Sequence, residues 1–77
     1  MFQPNKIELK YKIGEYVKNI SKDPNDVYII KEIDLMEADK DPYLIQNINN
    51  LSDLDWSEEI YIMRLNDKEI SQLKYNL

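Results

Sequence analysis

The chain contains no cysteine, no histidine, a single glycine and no apolar run longer than Ile60-Tyr61-Ile62-Met63. Without cysteine there is no disulfide framework and no thiolate nucleophile. Without histidine no side chain titrates near neutrality at its ordinary pKa. Structural zinc sites draw on those two residue types, so zinc is excluded with them. A bilayer-spanning helix needs about 20 apolar residues, far more than any run here. The opening Met1-Phe2-Gln3-Pro4-Asn5-Lys6 lacks the apolar core of a secretory signal, and Lys74-Tyr75-Asn76-Leu77 carries no lipidation box. A soluble, cytoplasmic protein is expected, with no membrane association. Ile, Lys, Asn and Tyr supply 34 of the 77 residues, a usage that AT-rich codons favour. This points to the cytosol of a low-GC bacterium, or of a host infected by one of its phages or carrying a mobile element.

What is present suits one small domain, residues 1–77. Hydrophobic residues make up 43% and charged residues 32%, too apolar a balance for a disordered tail. At this length folding hides only about 60% of the unfolded chain's surface, so the core is small. Fifteen acids face ten bases, a net charge of −5. The distribution is uneven. Residues 1–22 carry +3, residues 23–63 carry −9 and residues 64–77 carry +1, and no basic residue lies between Asp41 and Met63.

Hydrophobic periodicity divides the chain into short strands. Ile7, Leu9 and Tyr11 alternate with charged residues as in a half-buried strand. Gly14 marks the position that most needs a positive φ. A strand is expected over Glu15–Ile20, and a turn over Ser21–Asp26, where Asp23-Pro24 initiates and Asn25 and Asp26 tolerate tight backbone. Val27–Asp34, rich in β-branched and aromatic residues, is the clearest strand, with Tyr28 and Ile30 on one face and Val27, Ile29 and Ile33 on the other. Leu35–Asp41 is expected to be an acidic loop or one helical turn, Tyr43–Ile48 a strand, and Asn49–Asp53 a polar loop. Leu54-Asp55-Trp56 then reads as a brief strand, Ser57-Glu58-Glu59 as a corner and Ile60–Leu65 as the last strand. Asn66 and Glu69 stand at capping-box spacing before Ile70, Leu73 and Leu77, which predicts a helix over 67–75 lying at an edge or end of the sheet.

Ile13-Gly14-Glu15-Tyr16-Val17, Val27–Ile33, Tyr43-Leu44-Ile45 and Trp56-Ser57-Glu58-Glu59-Ile60 together resemble the rhythm of small SH3-like barrels of the Tudor and KOW types. The resemblance covers about residues 11–65. It implies a mainly β fold, a barrel of five short strands, with the C-terminal α-helix as an addition. The loop over Leu35–Asp41 also departs from the pattern by lacking its glycine. Such folds are platforms for peptides, proteins or nucleic acids, and fold alone does not choose among them.

Composition narrows the choice. Ser-based triads have no histidine partner here, and a chain this small rarely builds the cleft that a carboxylate pair needs, so no enzyme is expected. Asp39-x-Asp41 and Asp53-x-Asp55 open like calcium loops. Twelve positions from each start, however, stand Asn50 and Arg64 where a bidentate Glu is required, so neither a metal nor a cofactor is expected. Tyr16, Tyr28, Tyr43, Trp56 and Tyr61 could line an aromatic cage of the Tudor type, or simply fill a core. A sequence pI near 4.6 argues against direct nucleic-acid binding.

There remains the acidic middle. The expected function is a non-enzymatic acidic module that docks on the basic surface of a partner protein, inhibiting a host nucleic-acid-binding protein by imitating phosphate charge. The expected contacts are Asp39, Asp41, Asp53, Asp55, Glu58 and Glu59 as a charged rim, with Trp56 or Tyr43 as apolar anchor. Reversing Asp53, Asp55, Glu58 and Glu59 is expected to abolish binding and leave the fold intact. The competing reading is a solvated acidic surface on a structural or accessory component of a phage or bacterial assembly. In that reading the Tyr28/Ile30 face or a strand edge pairs with a second copy as a homodimer.

Overall fold

Tyr43, Ile45 and Asn47 are buried while Leu44 and Gln46 between them are half-buried, the alternation of a strand with one face in the core. It is one of five strands in the computed structural model, which describes residues 9–37 and 40–76. In chain order these are β1 (Tyr16–Asn19), β2 (Tyr28–Ile33), β3 (Tyr43–Asn47), β4 (Asn50–Ser57) and β5 (Ile62–Arg64), followed by the helix α1 (Asp67–Asn76). All pairings are antiparallel, in one sheet of order β4-β3-β2-β1-β5. The fold is therefore mainly β with one short C-terminal helix.

Local chemistry sets the connections. Gly14 has φ +90°, the conformation only glycine adopts without strain, and its amide donates to the Ile30 carbonyl at 2.8 Å. The turn into β2 is held by Asp23, whose Oδ1 accepts the Asn25 amide at 2.8 Å. A 3-10 turn, Leu35–Glu37, starts the β2–β3 loop, and a second, Glu59–Tyr61, joins β4 to β5. The expected capping box is present in both directions. Asn66 Oδ1 accepts the Glu69 amide at 2.8 Å, and Glu69 Oε1 accepts the Asn66 amide at 2.9 Å. Glu69 also pairs with Lys18, tying α1 to β1.

The core gathers Tyr11, Val17, Tyr28, Ile30, Tyr43, Ile45 and Ile62, with Leu9 and Ile33 packed against it. Tyr11 stands edge-on to Tyr43 with ring centroids 5.6 Å apart. Its amide donates to the Tyr43 hydroxyl at 3.2 Å and its own hydroxyl donates to the Ile62 carbonyl at 2.8 Å. Asn19 Nδ2 donates to Ser57 Oγ at 2.7 Å, both residues buried, so the sheet curls until the end of β4 meets β1.

Several expectations are corrected. Residues 9–12 form no strand, because the place beside β1 is taken by β5, and Tyr11 contributes through its side chain instead. Ile7 lies outside the described residues. Asn49–Asp53 is not a loop: a two-residue turn, Ile48-Asn49, suffices to reverse the chain, and β4 runs eight residues from Asn50. The last strand is shorter than expected, since the 3-10 turn takes Glu59–Tyr61. The Tyr28/Ile30 face is the sealed interior of the curled sheet, 1% and 0% exposed, so it offers nothing to a second copy.

Candidate functional site

The hairpin β3–β4 carries Tyr43, Asp53, Asp55 and Trp56 of the expected contact residues, and strand alternation sorts them onto two faces. Asp53, Asp55 and Ser57 point to the inner side, where Ser57 meets Asn19 and Asp53 meets Tyr28. Leu54 and Trp56 point outward, with Leu54 opposite Gln46 and Trp56 opposite Leu44 on β3. Leu44 in turn lies opposite Glu32 on β2.

On the inner side the carboxylates are engaged within the molecule. Asp53 Oδ2 accepts the Tyr28 hydroxyl at 2.6 Å and Asn47 Nδ2 at 3.3 Å, and Lys22 Nζ lies 3.4 Å from Oδ1. The Tyr28 hydroxyl, with the Asn47 amide and the Lys22 charge, holds the Asp53 carboxyl below its usual range against a smaller upward push from burial. Asp55 shares Lys22 at 3.7 Å, but its side chain is 62% exposed. At the far end of β4, Glu59 Oε2 accepts the Tyr43 hydroxyl at 2.5 Å and the Lys10 amide at 3.0 Å. Burial raises the Glu59 carboxyl, and the Tyr43 and Lys10 bonds outweigh it, leaving it below its usual value. Burial, then the bonds to these acids, pushes both the Tyr28 and Tyr43 phenols well above theirs.

The expected rim therefore divides. Asp53 and Glu59 are the acceptors of two buried tyrosines. Asp55 and Glu58 are exposed, and Glu58 makes no capping bond to the turn that follows it. Asp41 is half-buried, two residues before Tyr43, at the end of the sheet where Tyr43 faces Ser57. Asp39 lies outside the described residues. The two expected anchors part ways as well. Trp56 is 41% exposed, whereas Tyr43 is 0% exposed, its ring in the core and its hydroxyl committed to Glu59, so it cannot reach a partner. The aromatic cage is likewise corrected, since Tyr28 and Tyr43 are both sealed inside.

Leu54 and Leu44 join Trp56 on the outer face and were not singled out from sequence, and Glu32 of the acidic middle joins them. The signal was the alternation of Leu54 and Trp56 with Asp53 and Asp55, which a three-residue strand is too short to display. Lys22 was also missed as the cation that partly neutralises the acidic pair. A concavity of about 510 Å³ lies between β1, β5 and the start of α1 and is lined by Lys18, Ile20, Lys22, Met63, Arg64 and Glu69. Its three cations are paired with Glu69, with Asp53 and Asp55, and with Glu15. Among the described residues no group of three or more Asp or Glu side chains is arranged to hold a metal ion. No protein-family model matches the chain, and no curated protein or solved structure is significantly similar to it.

Proposed function

We propose that this chain is a non-enzymatic protein-binding module that docks on a basic surface of a partner protein through the β4 side of the sheet. The partner class we favour is a nucleic-acid-binding protein, whose phosphate-binding surface the acids of this module would occupy. The observation that carries the reading is the exposed Trp56 beside Leu54 on an edge strand, in a stretch from Asp41 to Met63 that contains no base. An exposed tryptophan with an apolar neighbour has the composition of an interface centre, and Asp55 and Glu58 supply a rim of one sign. Such a field speeds encounter with a basic partner and weakens as salt rises. The SH3-like barrel remains part of this proposal. It is supported by the curl that brings Ser57 onto Asn19, a step towards closure of the sheet.

The test is affinity capture on immobilised protein at low and high salt, with Trp56→Ala and with Asp55→Lys/Glu58→Lys alongside. Retention of a basic protein at low salt, lost in both variants, supports the reading. Equal retention by the variants, or recovery of nothing but the chain's own copies, overturns it.

A further inference from the structure

The free edge of β4 gives this docking a specific form. Among the described residues β4 pairs only with β3, so its other side presents main-chain groups to solvent. The Trp56 amide identifies which ones. It donates at 2.9 Å to Oδ1 of Asp55, its own neighbour, and so is turned away from β3. Two-residue alternation then puts the main-chain groups of Leu54 on the same open side. Towards the hairpin turn the register shifts between Gln46 and Asn47, and the Ser52 amide donates to Asn50 Oδ1 at 3.3 Å, which leaves Leu54–Ser57 as the regular part of the edge.

The side chains flanking that edge differ by face: Leu54 and Trp56 on one, Asp53 and Asp55 on the other. We infer that the partner engages β4 as an added strand, an extended segment alternating apolar residues with Lys or Arg. Its main chain bonds to Leu54 and Trp56, its apolar residues pack on Leu54 and Trp56, and its cations meet Asp55. On docking, the Asp55 carboxylate exchanges the Trp56 amide for an incoming cation and exposes that amide to the incoming carbonyl. Charge disfavours a second copy in registers centred on Leu54 or on either acid, and a register centred on Trp56 sets Asp55 against Ser57 and brings no new cation to it, which a basic segment does. Antiparallel pairing of two β4 strands centred on Leu54 sets Asp53 against the copy's Asp55, and centring on either acid sets it against itself. Like charges directly opposite destabilise a sheet.

This inference rests on the proposed basic partner, and the test separates the two. The probe is a synthetic peptide alternating lysine with valine and threonine, long enough to span Asn50–Ser57, followed by Trp56 fluorescence and by the amide resonances of β4. Two versions carry N-methyl groups on alternate residues, one set on the amides that would face β4 and the other on those that would face away. Both keep every charge and side chain. The expected result is tenfold or greater weakening with one set only, loss of binding in Asp55→Lys, and slowed hydrogen exchange at the Leu54 and Trp56 amides. Equal binding by both methylated peptides, with Asp55→Lys still abolishing it, overturns strand addition and leaves charge-driven docking standing. Absence of binding by every peptide overturns strand addition. The proposed function then stands or falls on whether a folded basic protein is captured.

Discussion

The hydroxyl of Tyr28 donates to the carboxylate of Asp53 at 2.6 Å, across the inner side of the sheet from β2 to β4. Tyr43 and Glu59 repeat the arrangement at 2.5 Å near the other end of β4. In both, a phenol ring fills the core and its polar tip ends on a partly exposed acid, so neither buried hydroxyl is left unsatisfied. A hydrogen bond to a charged group contributes about 1.5–3 kcal/mol. Tyr28→Phe keeps the ring and removes only this bond, so it is expected to lower the unfolding free energy by an amount in that range, read as a lower urea midpoint with no change in m. Tyr43→Phe is expected to do at least as much, because the Tyr11 amide loses its acceptor too. Unchanged midpoints in both variants would refute a structural role for the two pairs.

The same pairs set the pH limits of the fold. The carboxyls of Asp53, Glu59 and Glu69 are held below ordinary values of 3.8, 4.5 and 4.5. A depressed carboxyl contributes its stability fully above its ordinary value and loses it as pH falls through the lower folded value. The Tyr28 and Tyr43 phenols are raised above their ordinary 10.0, so their contribution is complete below pH 10 and is lost as pH climbs beyond it. Urea midpoints plotted against pH are expected to be level through neutrality, with one descent below about pH 4 and another above pH 10. Tyr28→Phe should flatten part of the alkaline descent. A curve that stays level down to pH 2 would contradict the acid half of the argument.

Much of the fold was legible because its signals are local. Gly14, the Asp23-Pro24 turn, the β-branched run of β2 and the Asn66/Glu69 box each rest on residues within a few positions of one another. What the sequence hid lies in long-range choices. Nothing near Leu9–Lys12 says that β5 takes the place beside β1. The role of Asp53 depends on Tyr28, 25 residues earlier, and that of Glu59 on Tyr43 and Lys10. Acids counted by sign alone look equivalent, and only the curl of the sheet separates two that accept bonds from buried phenols from two that face solvent. Tyr43 and Trp56 looked equivalent as aromatic anchors for the same reason. Strand parity and register place one in the core and the other outside.

The capping box permits a separation of its two bonds. Asn66→Ala removes the acceptor for the Glu69 amide, and loss of such a cap costs about 0.5–2 kcal/mol. Glu69 does more: it accepts the Asn66 amide and pairs with Lys18 on β1, both side chains about a quarter exposed. Glu69→Gln retains the bond to Asn66 and removes the ion pair, which at this exposure is worth no more than about 1 kcal/mol. Circular dichroism at helical wavelengths is expected to fall in Asn66→Ala and hold in Glu69→Gln. Equal losses would place the ion pair, not the cap, in control of α1.

Charge reversal on β4 and the turn beyond it is expected to give opposite results at neighbouring positions. Asp55 and Glu58 are exposed and support no buried group, so Asp55→Lys/Glu58→Lys should keep the unfolding free energy within about 0.5 kcal/mol of the parent, with a nearly unchanged urea midpoint. Asp53→Lys/Glu59→Lys replaces the acceptors of two buried tyrosine hydroxyls with cations and, at Asp53, sets a lysine beside Lys22. Each orphaned hydroxyl costs about 1–3 kcal/mol, a large share of the stability of a domain this small. The second double variant is therefore expected to unfold at much lower urea, or to be unfolded without it. The fourfold reversal cannot serve as a binding test for that reason: it would lose binding by losing the fold. If the Asp53/Glu59 variant instead retains the parent midpoint, the two tyrosine–carboxylate pairs are not what holds β4 against the core.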